Sequence, residues 1–330
     1  MVVRALATTL AFVTTLRAPD LTYAVDAAAA TRPTSDDAKA SEKKRPPTFA
    51  NVSYGPHERN VMDVWLAPSK QPTPVLIAIH GGGFYTGLKN VNATLLDDCL
   101  KSGISVVAIA YRYSTDAVAP APLMDGARAV QFVRSHAKEW NLDKTRVACT
   151  GGSAGGAMSL WLALHDDLAD PTNADPIARE STRMVGAVAL NPQSTYDPRT
   201  IKQLFPEFDL TKHPAVGRLV GAEGKDLQHL PPNLYALYEE ASAITHVSKD
   251  DPPVLLIFDR DMSVPVTTTS IGIHHPRFGT LLKEKMDAVG APCETRSASE
   301  PGTMPMEFLR RVFGLESTTD RAATPAQRSK

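Results

Sequence analysis

From residue 49 the chain alternates apolar and polar positions through Phe49 to Tyr54, and again through Val61 to Ala67, on either side of Gly55, Pro56 and His57. This pattern predicts an antiparallel hairpin with one solvated face. The alternation then gives way to short, predominantly apolar runs at Pro74 to Ile79, Ser105 to Ala110, Arg146 to Thr150, Val185 to Leu190 and Pro253 to Phe258. Strands of that kind must be covered on both faces. Between them the apolar residues fall at helical spacing. Leu123 to Trp140 presents Val130, Phe132 and Val133, Ala157 to Leu168 follows, and Pro276 to Val289 carries its proline in the first turn. A strand at Cys293 to Ser297 and a helix at Met306 to Gly314 complete the series. Strands alternating with helices predict an α/β fold: a mostly parallel central sheet with right-handed crossovers and helices on both faces. Residues 192–251 break the rhythm, with Pro206, Pro214, Pro231, Pro232 and short helical pieces such as Leu234 to Ala243. A stretch this long without a strand, inserted between two late strands, is expected to be a cap.

Composition narrows the function classes. With 43% hydrophobic and 22% charged residues the chain can bury a full core. Its 35 basic and 36 acidic residues leave no electrostatic footprint for nucleic acid or an anionic membrane surface. The first 24 residues are expected to be a signal peptide: a charge at Arg4, a run of apolar and small residues from Ala5 to Leu16, and a small-x-Ala site at Thr22, Tyr23, Ala24. This implies a secreted or periplasmic protein. The run is short of the roughly 20 residues that span a bilayer, so no membrane span is expected. Residues 25–48, rich in Ala, Thr, Ser, Lys and Pro, suit a flexible linker, residues 49–315 one domain, and residues 316–330 a disordered tail. Cys99, Cys149 and Cys293 form neither a disulfide framework nor a CxxC or Cys/His cluster with metal-ligand spacing, and read as small buried side chains. Oligomeric state is not legible here.

Two motifs carry chemistry. Gly151, Gly152, Ser153, Ala154, Gly155, Gly156 fills G-x-S-x-G between a buried strand and a helix, where a serine on a sharp turn projects its hydroxyl above the sheet. Side chains at the flanking glycine positions would collide with neighbouring backbone. His80, Gly81, Gly82, Gly83, Phe84 follows an earlier buried strand and matches an HGGG loop, which turns backbone N–H groups toward a developing oxyanion. The amides of Gly82, Gly83 and Ala154 are assigned to that oxyanion hole.

With these residues, the Tyr111, Arg112, Tyr113 turn, Pro120, Ala121, Asp125 and the stretch Pro252 to Asp261, the chain from about Asn51 to Gly314 resembles the esterase and lipase branch of the α/β-hydrolase superfamily. It is similar to bacterial feruloyl- and acetylxylan-esterase-like and hormone-sensitive-lipase-like carboxylesterases. The resemblance implies a serine carboxylester hydrolase acting by acyl transfer through Ser153 on a small-molecule or polysaccharide-linked ester, with no cofactor or metal, and gives His80 a loop-organising part. It places the acid at Asp261, with Asp259 a second choice because Phe258 stands where the pattern has glycine. The customary loop for the base, Ser297 to Met306, holds no histidine, which leaves His274 and His275 as the candidates. His213, His229 and His246 belong to the expected cap, and His136 and His165 to helices. The alternative is a pseudoenzyme or binding module that kept the elbow and lost the base.

Overall fold

A computed structural model of the chain describes residues 45–298 and 304–315. The expected signal peptide, most of the expected linker and the tail lie outside the described residues. The hairpin forms as read: β1 (Phe49–Ser53) runs antiparallel to β2 (Val61–Trp65), with Ser53 opposite Val61. Residues 45–48, assigned to the linker, are tied to this edge, since Trp65 Nε1 donates to the Arg45 carbonyl and the Leu66 amide to Thr48 Oγ1.

Strand β2 pairs antiparallel with β4 (Ser105–Ile109). From there β3 (Thr73–Ile79), β5 (Leu142–Gly152), β6 (Gly186–Leu190), β7 (Val254–Phe258) and β8 (Cys293–Ser297) run parallel, and the eight strands lie in the order β1-β2-β4-β3-β5-β6-β7-β8. Every residue of β3, β4 and β7 is buried, as their uniform apolarity requires. Successive side chains go to opposite faces. Ile77, Ile79, Val107 and Leu256 join a core built with α2 (Ala121–Ser135), α3 (Ala154–Leu164) and α8 (Arg277–Val289). Leu76, Ala78, Val106 and Leu255 join a second core with α1 (Ala93–Lys101) and α9 (Met304–Val312) on the other face. This three-layer arrangement is the α/β-hydrolase fold. No helix among the described residues is long and apolar enough to cross a membrane.

The segment between β6 and β7 is helical, with no strand among the described residues: α4 (Pro198–Leu204), α5 (Pro214–Leu219), α6 (Pro232–Ala241) and single turns at 210–212 and 243–246. Pro198, Pro214 and Pro232 start these helices, because a first-turn residue has no intrahelical N–H bond to lose. One element escapes the sequence pattern. Helix α7 (Thr269–Ile273) is short and rich in β-branched residues, and forms where Thr268 Oγ1 accepts the Ile271 amide at 3.2 Å. All three cysteines are free and buried, and burial pushes each thiol up to about 12.

Candidate active site

Strand β5 ends at Gly152 and α3 begins at Ala154, so the chain must reverse over a single residue. Ser153 makes that turn at φ 53° and ψ −124°, a region that costs a residue with a Cβ roughly 1–3 kcal/mol. Its amide is fixed by the Leu190 carbonyl at the end of β6, at 2.8 Å. The neighbouring glycines are steric necessities: a Cβ on Gly155 would lie 2.2 Å from the Ile79 carbonyl oxygen, and one on Gly151 2.4 Å from the Gly155 carbonyl carbon. As first residue of α3, Ala154 offers an amide without an intrahelical acceptor beside the serine.

The His80 loop lies against this elbow. A Cβ on Gly81 would fall 2.7 Å from the Gly152 carbonyl oxygen and 3.5 Å from Ser153 Cβ. Gly82 and Gly83 turn at φ 102° and 61°, and a Cβ on Gly82 would meet the Thr86 carbonyl oxygen at 2.1 Å. Both positions therefore need glycine for backbone reasons, and a bulky substitution there would disturb the loop as well as any oxyanion hole. The His80 ring is fully engaged in packing and hydrogen bonds. Its ring stacks on Tyr111 at 4.2 Å, its Nδ1 donates to the Gly81 carbonyl at 2.7 Å, and burial drives its pKa down to about 4. Nε2 is then the acceptor for the Arg59 guanidinium, at 3.3 Å. Arg59 also donates to the carbonyls of Tyr111 and Gly87, and lies 3.6 Å above the Tyr113 ring. Tyr111 and Tyr113 close the cage through their hydroxyls, onto the carbonyls of His80 and Gly87. Arg112, between them, makes a bidentate pair with buried Asp125.

The decisive contact comes from the far side. His274 Nε2 lies 2.8 Å from Ser153 Oγ. His274 is the C-cap of α7, and its Nδ1 lies 3.1 Å from the Ser270 carbonyl, which can only accept. The proton therefore sits on Nδ1 and Nε2 turns its lone pair to the serine hydroxyl. Burial holds the ring below the usual imidazole pKa, with the charge of Asp259 raising it and that of Arg260 lowering it. The preceding peptide is held by Gln193, a buried residue that donates to the Ile273 carbonyl at 2.5 Å and accepts from the Tyr196 hydroxyl at 2.8 Å.

The other candidates fall elsewhere. His275 is fully buried, with Nε2 donating to the Val264 carbonyl at 3.2 Å and its ring edge-on to Phe205. Asp261 is exposed, and its carboxylate accepts from the Ser263 amide and hydroxyl in a tight local turn. It makes no hydrogen bond to either histidine among the described residues, because the chain folds into that turn directly after β7. Asp259 pairs with Arg260 at 3.2 Å and contributes charge to His274 without a hydrogen bond. Gln193, Arg59 and the Ser270 carbonyl have no spacing signal that marks them in the sequence. From the expected cap, Ala215 of α5 approaches Gly83, and burial, then the charge of His274, drives the His213 pKa down to about 4.

Residues 62–271 match the family model BD-FAE. The chain belongs to this family. It is 33% identical over 222 residues to the probable carboxylic ester hydrolase LipM of Mycobacterium tuberculosis, covering 66% of this chain and 48% of that protein. Esterase LipQ of the same organism is 27% identical over 227 residues, covering 66% and 49%. The chain thus matches about half the length of these relatives. Among solved structures, a truncated carbohydrate esterase from gut microbiota superposes with a TM-score of 0.58 at 22% identity, covering 83% of this chain and 96% of that one. An acetyl ester–xyloside bifunctional hydrolase from Caldicellulosiruptor lactoaceticus does so with 0.61 at 21%, covering 82% and 96%. These superpositions show the α/β-hydrolase fold.

Proposed function

We propose that the chain hydrolyses carboxylic esters by acyl transfer through Ser153. The observation that carries this reading is the 2.8 Å contact between Ser153 Oγ and His274 Nε2. As Ser153 Oγ attacks the ester carbonyl carbon, its proton passes to His274 Nε2, and the imidazolium is held through Nδ1 by the Ser270 carbonyl. The oxygen of the tetrahedral intermediate takes its charge among the amides of Gly82, Gly83 and Ala154. When the carbon–oxygen bond to the alcohol breaks, Nε2 returns the proton to the leaving oxygen. Water then attacks the acyl-serine ester by the same route, and the acid departs. No cofactor enters these steps.

Similarity supports a substrate class. Relatives described as a carbohydrate esterase and an acetyl ester–xyloside hydrolase point to short acyl groups on a carbohydrate. An extracellular or periplasmic place of action fits such a substrate and the signal peptide expected at residues 1–24; N-terminal sequencing of the exported protein tests it.

Purified protein should hydrolyse p-nitrophenyl acetate and take up one fluorophosphonate per chain. Ser153→Ala should lose about 10^5-fold or more in kcat, as loss of a serine nucleophile does, with its unfolding transition unchanged because the Cβ that sets the backbone conformation is kept. Probe labelling without turnover would instead favour a binding module with a vestigial site. Full turnover by a folded Ser153→Ala protein would remove the assignment altogether.

A further inference from the structure

Away from the serine, His165, Glu240 and His246 bring one ring nitrogen each and a carboxylate oxygen within 4.8 Å of one another. They come from three places: His165 caps the C-terminus of α3, Glu240 lies in α6, and His246 ends the turn at 243–246. We propose that this cluster is a binding site for a divalent transition ion of the zinc type, clasping the nucleophile helix to the segment inserted between β6 and β7.

Proton positions carry the argument. His165 Nδ1 lies 2.8 Å from the Asp166 carbonyl and His246 Nε2 lies 2.8 Å from the Glu240 carbonyl. A carbonyl only accepts, so both of these nitrogens bear hydrogen. The Glu240 carbonyl also accepts from Trp161 Nε1 at 2.8 Å, which fills its second lone pair. In the neutral rings the remaining nitrogens, His165 Nε2 and His246 Nδ1, then carry lone pairs. His165 Nε2 turns its lone pair to Glu240 Oε1 at 3.3 Å, an acceptor against an acceptor. A cation resolves that conflict.

A zinc-type ion also fits the dimensions. With metal–ligand bonds of about 2.0–2.1 Å, the edge of a tetrahedron is about 3.3 Å, the separation that His165 Nε2 and Glu240 Oε1 already have. Two imidazoles and one carboxylate form a donor set suited to that ion, with water as fourth ligand, and hydrogen bonds from the far ring nitrogens to carbonyls are the usual support for ligating histidines. The rings are already gathered: the His165 and His246 centroids are 4.5 Å apart, and buried Trp161, one turn before His165, packs on both. The three residues are half-buried, which leaves an ion a way in. The rival is a proton on His165, giving a simple imidazolium–carboxylate pair.

The test uses the purified full chain, stripped with a chelator and titrated with Zn²⁺ by calorimetry at pH 7.5. One equivalent should bind, and at a hundredfold excess over Kd the unfolding midpoint should rise by about 5 °C or more. Co²⁺ should give the visible absorption of a low-coordinate site. His165→Gln and His246→Gln should each weaken Zn²⁺ binding by more than the 10- to 100-fold typical of losing only an outer partner. Glu240→Gln, which keeps size and packing, should do the same and decides the matter if a histidine variant fails to fold. His229→Gln, remote from the cluster, should change nothing. Absence of saturable Zn²⁺ binding, or binding that survives Glu240→Gln unweakened, would overturn the proposal and leave the protonated pair. Ester hydrolysis is not the readout, so failure here leaves the catalytic reading standing.

Discussion

The two glycine-rich turns and the loop from Asp259 to Pro276 gather around the same hydroxyl, and they are built in opposite ways. At the elbow and the His80 loop, the proposed chemistry would rest on backbone: amides, a strained φ at Ser153, and glycines whose missing Cβ lets one strand end lie against another. At the other side, the proposed chemistry would rest on one imidazole aimed by a five-residue helix and a main-chain carbonyl. The first kind of construction tolerates almost no change of residue type. The second can be supplied from more than one place in the chain, because an imidazole needs only to arrive with the right nitrogen free.

The sharpest break of this contrast is at the elbow. Gly155→Ala would set a Cβ 2.2 Å from the Ile79 carbonyl oxygen, so β3 and α3 must part. Gly152→Ala, on the same turn, meets nothing nearer than the Leu190 carbonyl oxygen at 3.9 Å. We expect the first to lose about 3 kcal/mol or more, on the order of 10 °C in melting temperature, together with all activity. The second should stay near the parent in both. Equal behaviour of the two variants, measured by calorimetric unfolding, would mean that the elbow is not sterically fixed.

On the loop side the adjacent histidines separate chemistry from packing. His274→Ala should lower kcat at least about a hundredfold, the low end for a lost general base, with a small change in unfolding. His275→Ala should do the reverse: its ring is fully buried against Phe205, so the loss is a few kcal/mol of stability, with kcat per folded molecule nearly intact. Circular dichroism melts beside steady-state kinetics distinguish the two.

What could be read in advance follows the same division. Buried strands announce themselves by uniform apolarity, and the elbow glycines by motif, since both follow from local sterics that neighbouring residues already specify. Helix α7 was not legible, because its β-branched residues favour extended structure and its stability comes from the Thr268 cap and from Gly272 packed close to Leu210, 62 residues away in the chain. His274 and His275 were indistinguishable for the same reason: which imidazole turns outward is decided at the end of α7. Gln193 and the Ser270 carbonyl leave no trace at all, as a main-chain acceptor can be any residue.

Acid sharpens the comparison more gently. His80 and His213 are held near pKa 4 by burial, whereas in an unfolded chain each would titrate near 6.5. Between those values the unfolded state binds more protons, so stability falls as pH drops from about 6.5 toward 4, by at most about 3 kcal/mol for each ring. Urea midpoints at several pH values across that window should show the decline, and His80→Phe should remove part of it. Activity has its own limb: burial lowers His274, so kcat/KM should fall on acidification only below about 6.5.

The smallest effect is expected where the resemblance to esterases would place a large one. In a serine triad with a buried aspartate, neutralising that residue costs about 10^4-fold, because the base loses the partner that sets its tautomer. Here the Ser270 carbonyl sets it, and Asp261 spends its lone pairs on Ser263 at the surface. Asp261→Asn should therefore leave kcat within about threefold of the parent, since no proton in the proposed cycle depends on that carboxylate. Asp259→Asn should act slightly more, because it removes the negative charge that raises the His274 pKa and so shifts the acid limb of the pH profile downward. The measurement is kcat against pH for both variants with one short acyl ester. A thousandfold loss for Asp261→Asn would show that the 259–264 turn refolds around bound ester to bring a carboxylate onto Nδ1, and that the carbonyl contact belongs to the resting enzyme alone.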